Sequence, residues 1–295
     1  MRPPSASPAP PSPARPRRSV LYMPAANPKA LAKARTLPCD GVILDLEDAV
    51  APDAKDQARQ AACAAVAAGG FGAREVVIRI NALDTEWGPA DLAAAAQARP
   101  DAVLVPKING PDDLAPYASA LPDGVALWAM VETCQVLFRL DVLGAGARAH
   151  GLSVLVAGTN DLAKEMGCRL DTERAPLLGP LSLMVAAARA HGLVILDGVF
   201  NALEDAEGLA RQCDQAQAFG FDGKTLIHPS QIEAANRAFT PGPEAVAWAR
   251  TVAEAFEMPE NAARGVLRVE GRMVERLHWE QARRLLAVAD AIAAA

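Results

Sequence analysis

The chain has 295 residues, of which 51% are hydrophobic, and a formal net charge of -6 at pH 7. This length accommodates one large α/β barrel or two smaller domains, with a substantial core in either case. The acidic balance argues against nucleic-acid binding, and no apolar run approaches the roughly 18 residues that span a bilayer, so we expect a soluble protein without nucleic-acid or membrane partners.

Residues 1–17 are rich in proline, serine, alanine and arginine and contain no acidic residue. Because such a segment buries no apolar face, we expect a disordered tail. It lacks the apolar centre of a secretion signal, while its arginines leave an organellar targeting role open. The five cysteines are scattered and form no Cys-x-x-Cys pair, which is typical of reduced thiols and favours a cytoplasmic location.

Eight short apolar runs follow, each succeeded by a polar turn and a helical pattern. Unbroken apolar runs without alternation are typical of parallel strands that are buried on both faces. We predict these strands at Ser19 to Met23, Gly41 to Leu46, Glu75 to Ile80, Ala102 to Val105, Val125 to Val131, Leu152 to Ala157, Leu193 to Leu196 and Gly223 to Ile227.

Helix start signals fit between these strands. Asn27 and Pro28 suit a cap and a first helical turn, and Pro52 precedes a second, alanine-rich helix. Strand-helix units at a spacing of roughly 25 to 35 residues match an α/β (β/α)8 TIM barrel over residues 18–240. An open doubly wound sheet is the competing architecture, which is disfavoured because no Gly-x-Gly-x-x-Gly turn follows an early strand.

Residues 241–295 exceed what a closed barrel needs. The pattern predicts a helix from Pro243 to Glu257, a small hairpin around Gly271, and a last helix from about His278 to Ala293. Because such an extension often packs on a neighbouring subunit, we expect an oligomer contact here.

Acidic side chains collect where the predicted strands end, and parallel α/β folds place their chemistry at that edge. The densest group, Asp45, Glu47 and Asp48, is the first candidate for a metal or general-acid site. Glu132 and Asp161 close the fifth and sixth strands, and two such carboxylates, with water and substrate in the other positions, are a usual Mg²⁺ site. Alternatively, Asp161 caps the following helix and Glu132 pairs with an arginine.

Two cationic residues also follow strands. Arg79 lies at an inward position late in the third strand, where its guanidinium fork suits a substrate carboxylate. A structural salt bridge to Glu47 or Asp48 is an alternative, and the two roles are compatible. Lys107 follows the fourth strand and has the position of a Schiff-base lysine, although a solvated loop lysine is favoured.

Weaker signals follow the fifth and eighth strands. His228 has the position of a base or phosphate donor, although a structural strand-end histidine is favoured. Lys224, with Gly220 and Gly223, is a weak phosphate-binding candidate. Cys134 lies beside Glu132 but has no histidine placed to activate it, so we interpret it as a bystander.

The chain contains a series of short strings that jointly carry a resemblance. In order, these are Arg18-Ser19, Leu44 to Val50, Val77 to Asn81, Val105-Pro106-Lys107, Val131-Glu132-Thr133, Gly158 to Leu162, Asp197-Gly198-Val199, Gly220 to Lys224 and Ile227 to Ile232. Together they resemble the HpcH/HpaI aldolase and citrate lyase beta-subunit family, which includes malyl-CoA and citramalyl-CoA lyases. The resemblance covers about residues 18 to 294.

The resemblance implies a Mg²⁺-dependent lyase, usually trimeric or hexameric, whose partners are an oxo acid and a CoA thioester. Glu132 and Asp161 match the metal ligands of the family, and Arg79 matches the arginine that binds the substrate carboxylate. Glu47 and Asp48 match acids that organise metal-bound water and that arginine, so they move from the metal site to its surroundings. The segment 224–232 lies where the adenine nucleotide of CoA approaches.

Two departures from the family pattern affect the substrate. Glu275 ends Met273-Val274-Glu275 where many members have Met-Ile-Asp, whose Asp enters the site of a neighbouring subunit. Glu275 keeps the carboxylate and is our candidate for proton transfer. Asn160 stands where the commoner motif has a Glu beside the metal-binding Asp.

We therefore expect a Mg²⁺-dependent carbon-carbon lyase that acts on a 3-hydroxyacyl-CoA thioester such as malyl-CoA or citramalyl-CoA. One alternative is a class II aldolase that releases pyruvate from a hydroxylated 2-oxo acid. The other is a citrate-lyase-type subunit that needs an acyl-carrier partner.

Overall fold

The computed structural model of the chain describes residues 15–261 and 263–294. The predicted disordered tail lies outside the described residues up to position 14. Its last residue, Arg17, instead contributes to the barrel: Nε and Nη2 donate to the carboxylate of Glu75 at 2.6 and 2.8 Å, and the guanidinium lies 5.5 Å from the centre of the Trp128 ring. The buried Glu75 carboxylate thereby gains the partner that it needs.

Residues 17–239 form one compact unit, in which eight parallel strands close into a barrel with β1 paired to β8. This confirms the predicted (β/α)8 architecture and excludes the open sheet. The strands are β1 (Ser19–Pro24), β2 (Gly41–Asp45), β3 (Glu75–Arg79), β4 (Ala102–Val105), β5 (Ala126–Val131), β6 (Leu152–Ala157), β7 (Val194–Asp197) and β8 (Gly223–Leu226).

Alternate strand residues divide between two apolar clusters. One consists of strand residues, such as Ile43, Val77 and Trp128, with Val199 packed against it, and fills the barrel interior. The other combines strand residues of opposite parity with helix residues, such as Leu44 and Leu181, and lies between the strands and the helices. Since each fully buried aliphatic side chain contributes about 1.5–3 kcal/mol, burial on both faces explains the continuous apolar strands.

Helices follow the strands around the barrel. The predicted cap at Asn27 is present, because its side chain accepts hydrogen bonds from the N–H groups of Lys29 and Ala30. The barrel helices are α1 (Pro28–Ala34), α2 (Lys55–Ala68), α3 (Gly88–Ala98), α4 (Ala115–Ala120), α5 (Cys134–Leu137), α6 (Leu140–Gly146), α7 (Thr159–Met166), α8 (Leu178–His191), α9 (Ala206–Phe219) and α10 (Ile232–Phe239).

The segment 240–295 belongs to a second compact unit. It contains α11 (Pro243–Glu257), the antiparallel hairpin β9 (Val266–Val269) and β10 (Arg272–Glu275), and α12 (Arg276–Ala294). The predicted helix, hairpin and last helix are all present, although α12 begins two residues earlier than expected. Phe256 and Val274 belong to the apolar core of this second unit. Within the described ranges, no helix is long and apolar enough to cross a bilayer.

Candidate active site

The carboxyl ends of the barrel strands carry the candidate site residues. Asp45 and Arg79 are the last residues of β2 and β3, and they are register partners across these strands. Glu132 follows β5, and Asp161 lies in the first turn of α7, after β6. Because parallel strands of a barrel end at the same face, these side chains share one face of the molecule.

Arg79 is held by carboxylates at the end of β2 and in the turn that follows it. Its Nε and Nη2 donate to the two oxygens of Asp45, both at 2.7 Å. Its Nη1 lies 2.7 Å from Glu47 Oε2 and 3.5 Å from Asp48 Oδ2. The ring of Tyr22 covers the guanidinium at 4.8 Å. Arg79 is therefore fixed in orientation before any ligand binds.

The role of Arg79 in binding a substrate carboxylate stays a prediction, and Asp45 limits how it could be performed. Asp45 occupies the Nε–Nη2 side of the guanidinium. A ligand could therefore bind only to the N–H groups of Nη1 and Nη2 that do not already contact Asp45, Glu47 or Asp48. The predicted salt bridge to Glu47 is present, but the main partner, Asp45, was missed in that role. Strand parity was the available signal, since Asp45 and Arg79 share the inward parity of Ile43 and Val77.

Asp45 also shapes the turn that follows β2. Its Oδ1 accepts the N–H of Glu47 at 3.0 Å, and its Oδ2 accepts the N–H of Ala49 at 3.1 Å. The fully buried carboxylate therefore satisfies two backbone donors and Arg79 together. This stabilises the turn in the geometry that brings Glu47 to Arg79.

Glu47 has a largely buried carboxyl group, and this burial opposes its ionisation. Burial raises its pKa from 4.5 to about 8, against the attraction of Arg79. Its Oε2 lies close to Arg79 but accepts no hydrogen bond of good geometry. Asp48, by contrast, has a side chain that is 68% exposed. Burial thus opposes the ionisation of Glu47 while Arg79 favours it, and Asp48 is open to solvent.

Glu132 and Asp161 converge on one ammonium group. Lys107 Nζ forms an ion pair with Asp161 and lies 3.4 Å from Glu132 Oε1. The backbone N–H of Lys107 donates to the same Glu132 oxygen at 2.8 Å. Lys107 adopts a left-handed φ of 55°, a strained conformation for a lysine. Both acids thus direct oxygens at one cationic group, as metal ligands must.

Gly158 leaves room for the side chain of Glu132. A Cβ at Gly158 would lie 2.6 Å from Glu132 Oε2 and 3.0 Å from the Met130 methyl carbon. Any larger residue at position 158 would displace this carboxylate. The burial of Glu132, 2% exposed, raises its pKa, so a nearby cation favours its ionised form.

These features fit a divalent cation. The acids at this face, Asp45, Glu47, Asp48, Glu132 and Asp161, outnumber the basic side chains that pair with them. In the part of the chain that the structure describes, no three His, Cys, Asp or Glu side chains form a metal-binding group. A cation held by Glu132 and Asp161 would leave positions for water and substrate, as Mg²⁺ often does.

The alternative roles that the sequence left open for Asp161, Glu132 and Lys107 differ from what the structure shows. Asp161 is the third residue of α7 and not its cap, which is Gly158. Among the described residues, Glu132 pairs with Lys107 and with no arginine. Lys107 is 41% exposed, but it is not the solvated loop lysine that we favoured, because its ammonium contacts two acids.

The weaker candidates in and after β8 have structural roles. Lys224 is fully buried and donates to Asp197 Oδ2 at 2.6 Å and Gln212 Oε1 at 2.8 Å, so it does not reach a phosphate. A Cβ at Gly223 would overlap the backbone carbonyl of Arg17. His228 accepts the N–H of Ser230 at 3.2 Å, which matches the favoured structural interpretation.

Three candidates remain, and the structure gives the surroundings of each. Asn160 exchanges hydrogen bonds with Asn201 next to Asp161. Cys134 is a free thiol at the start of α5. Glu275 ends β10 in the second unit, where its N–H donates to His278 Nδ1 at 2.9 Å, and its role in proton transfer stays a prediction.

Comparison with known proteins gives a consistent result. The family model described as HpcH/HpaI aldolase/citrate lyase matches residues 18–229, which confirms the family indicated by the motifs. A (3S)-malyl-CoA thioesterase from Cereibacter sphaeroides is 48% identical over 281 residues, 95% of this chain and 97% of that protein. The mitochondrial citramalyl-CoA lyase of Rattus norvegicus is 30% identical over 294 residues, 94% of this chain and 87% of that protein.

A solved structure of the protein CitE from Mycobacterium tuberculosis is also similar. It aligns with a TM-score of 0.73 and 30% identity, and the alignment covers 92% of this chain and 97% of that chain. That protein was crystallised in complex with magnesium, acetoacetate and coenzyme A.

Proposed function

Because this chain belongs to the HpcH/HpaI aldolase/citrate lyase family, we propose that it is a Mg²⁺-dependent enzyme acting on a short 3-hydroxyacyl-CoA thioester of the malyl-CoA type. The observation that carries the proposal is the convergence of Glu132 and Asp161 on one cationic group, at the barrel face that also holds Arg79. A metal site and an anion-binding arginine at one face suit an acid that also carries a hydroxyl or oxo group.

Glu132 and Asp161 would hold the metal ion. When bound, Mg²⁺ supplies Lewis-acid polarisation of a substrate oxygen. Arg79 offers its remaining N–H groups to the free carboxylate of the acyl part, in an orientation fixed by Asp45 and Glu47. Asp48, exposed and only weakly held by Arg79, is the carboxylate that we assign to orient a water molecule.

Hydrolysis of the thioester is the leading reaction within this proposal. It is favoured by the 48% identity to a (3S)-malyl-CoA thioesterase over nearly the whole of both chains. In this reaction water adds to the thioester carbonyl, the carbon-sulfur bond breaks, and the thiol leaves with a proton. The site requires no serine or cysteine nucleophile for this step, because a positioned water suffices.

Carbon-carbon cleavage is the second candidate, and the citramalyl-CoA lyase at 30% identity supports it. In this reaction the hydroxyl of malyl-CoA gives up its proton, the bond between the hydroxyl-bearing carbon and the carbon next to the thioester breaks, and glyoxylate and a thioester enolate form. The enolate then gains a proton at carbon. Glu275, from a neighbouring copy of a homotrimer or hexamer, is the proton donor that we assign to this route. Such an assembly and a cytoplasmic location, which the five free cysteines favour, are parts of the proposal.

The products separate the candidates. Purified protein is incubated with (3S)-malyl-CoA and Mg²⁺, and free thiol and glyoxylate are measured in parallel. Thiol and malate without glyoxylate support hydrolysis, whereas glyoxylate and acetyl-CoA support cleavage.

Absence of both products would refute the proposal. Pyruvate release from a hydroxylated 2-oxo acid without CoA would then favour the class II aldolase. Activity that appears only with an acyl-carrier protein would favour the citrate-lyase-type subunit.

A further inference from the structure

Lys55, the first residue of α2, is a buried lysine whose ammonium is completely paired. Its side chain donates to the carbonyl oxygens of Leu46 at 2.8 Å and Glu47 at 2.7 Å, and to Asn81 Oδ1 at 2.8 Å. These three acceptors match the three N–H groups of an ammonium. The ring of Trp87 lies 5.2 Å from Nζ, and the residue is 6% exposed. The position of the ammonium is therefore tightly determined.

The acceptors of Lys55 belong to the two strand ends that hold Arg79 and Glu47. Leu46 and Glu47 are consecutive in the turn after β2, and Asn81 lies two residues beyond Arg79. Asn81 Nδ2 also donates to the Leu46 carbonyl at 2.9 Å, which closes a small ring of hydrogen bonds. Lys55 thus fixes the backbone of Glu47 relative to the strand that carries Arg79.

Residues of α2 and α3 hold this ring of hydrogen bonds in place. Asp91 of α3 is fully buried and accepts from the backbone N–H of Asn81 at 3.1 Å and from its Nδ2 at 2.6 Å. Asp91 also accepts from Arg59 Nε of α2 at 2.7 Å. Because α2 supplies both Lys55 and Arg59, the network ties α2, α3 and the turn after β2 into one rigid arrangement.

We propose that Lys55 is a positioning residue that holds Glu47 against Arg79 and thereby sets the affinity of the site for the carboxylate part of the substrate. This inference rests on the proposed function. Without the ammonium, the carbonyls of Leu46 and Glu47 lose a buried donor and the turn relaxes. Arg79 then keeps Asp45 but loses the constraint from Glu47.

The test uses Lys55→Met, which keeps the length of the side chain but removes the charge. Isothermal titration of the Mg²⁺-loaded protein measures malate and free CoA separately as probes. Since partners behind a binding group typically contribute about 10- to 100-fold in affinity or activity, we expect malate to bind at least about tenfold more weakly and CoA to be affected by less than about twofold. Lys33→Met, an exposed lysine of α1, is the matched control and should change neither.

Unchanged malate affinity, or an equal loss for malate and CoA, would overturn the inference, because a merely structural role moves both. If Lys55→Met does not fold, Asn81→Ser, which removes one acceptor of Lys55, is measured in the same way and decides. If the wild type binds neither malate nor CoA, the proposed function fails. In that case a crystal structure of Lys55→Met tests the positioning role separately. A Glu47–Arg79 pair that is unchanged in the variant would refute the proposed role of Lys55.

Discussion

Replacement of Glu47 by glutamine tests the electrostatics of the site. The folded-state pKa of Glu47 is raised from 4.5 to about 8 by burial. Arg79 does not reverse this, because the bidentate pair with Asp45 already compensates its charge. Between about pH 4.5 and about pH 8 the folded protein retains a proton that the unfolded chain has released, so stability falls as pH rises through this window.

The size of this loss of stability follows from the rise in the pKa of Glu47. At about 1.4 kcal/mol per pKa unit, a rise from 4.5 to about 8 corresponds to a loss on the order of 5 kcal/mol by alkaline pH. Glutamine imitates the protonated acid and does not ionise. We therefore expect Glu47→Gln to have nearly the stability of the wild type near pH 5 and to exceed it by several kcal/mol near pH 9.

Urea unfolding at a series of pH values in the presence of a chelator measures this difference. Asp48→Asn is the matched control: it makes the same acid-to-amide change one residue away, at a side chain that is 68% exposed. The stability of Asp48→Asn should still fall as pH rises, somewhat less than that of the wild type, because burial is the main cause of the raised pKa of Glu47 and Asp48 adds to it. Parallel curves for wild type and Glu47→Gln would show that Glu47 is ionised throughout, and they would refute the argument from burial.

Three further substitutions test the metal site, each by the rise in melting temperature that Mg²⁺ produces. Asp161→Ala removes one of two ligands and should abolish the rise and the activity; an unchanged rise would exclude Asp161 as a ligand. Asp48→Asn should reduce the rise without abolishing it, and complete loss would make Asp48 a ligand. Gly158→Ala should fold but bind Mg²⁺ about tenfold or more weakly, because the new Cβ displaces Glu132; wild-type affinity would contradict this steric argument.

Strand parity explains why part of the Arg79 cluster was predictable. The sequence identified Arg79 as inward-facing and in need of a partner, and it identified Glu132 and Asp161 as strand-end acids. It did not identify Asp45 as the main partner of Arg79, since that requires the register in which these two residues lie side by side. A shift of one residue would have turned Asp45 to the opposite face of its strand.

Long-range contacts account for the corrections. Lys107 follows a strand like several other residues, and only the closed barrel brings its ammonium to Glu132 and Asp161, the latter 54 positions away in sequence. Lys55 gave no signal in the sequence, because its three acceptors are a side chain and two carbonyls assembled by folding. The sequence signal at Lys224 was misleading. Glycine and lysine near a turn suggest phosphate binding until the burial of the lysine side chain is known.

The sequence alone determined the barrel, its strands and the acids at their carboxyl ends, because continuous apolar runs and turn residues act locally and repeat with a regular spacing. The tertiary structure decided which charges face each other. Asp45 fills the fork of Arg79, Lys107 joins the two candidate metal ligands, and Lys55 fixes the turn that carries Glu47. These pairings depend on strand register and on distances of a few ångströms between residues remote in the chain, which no local pattern encodes.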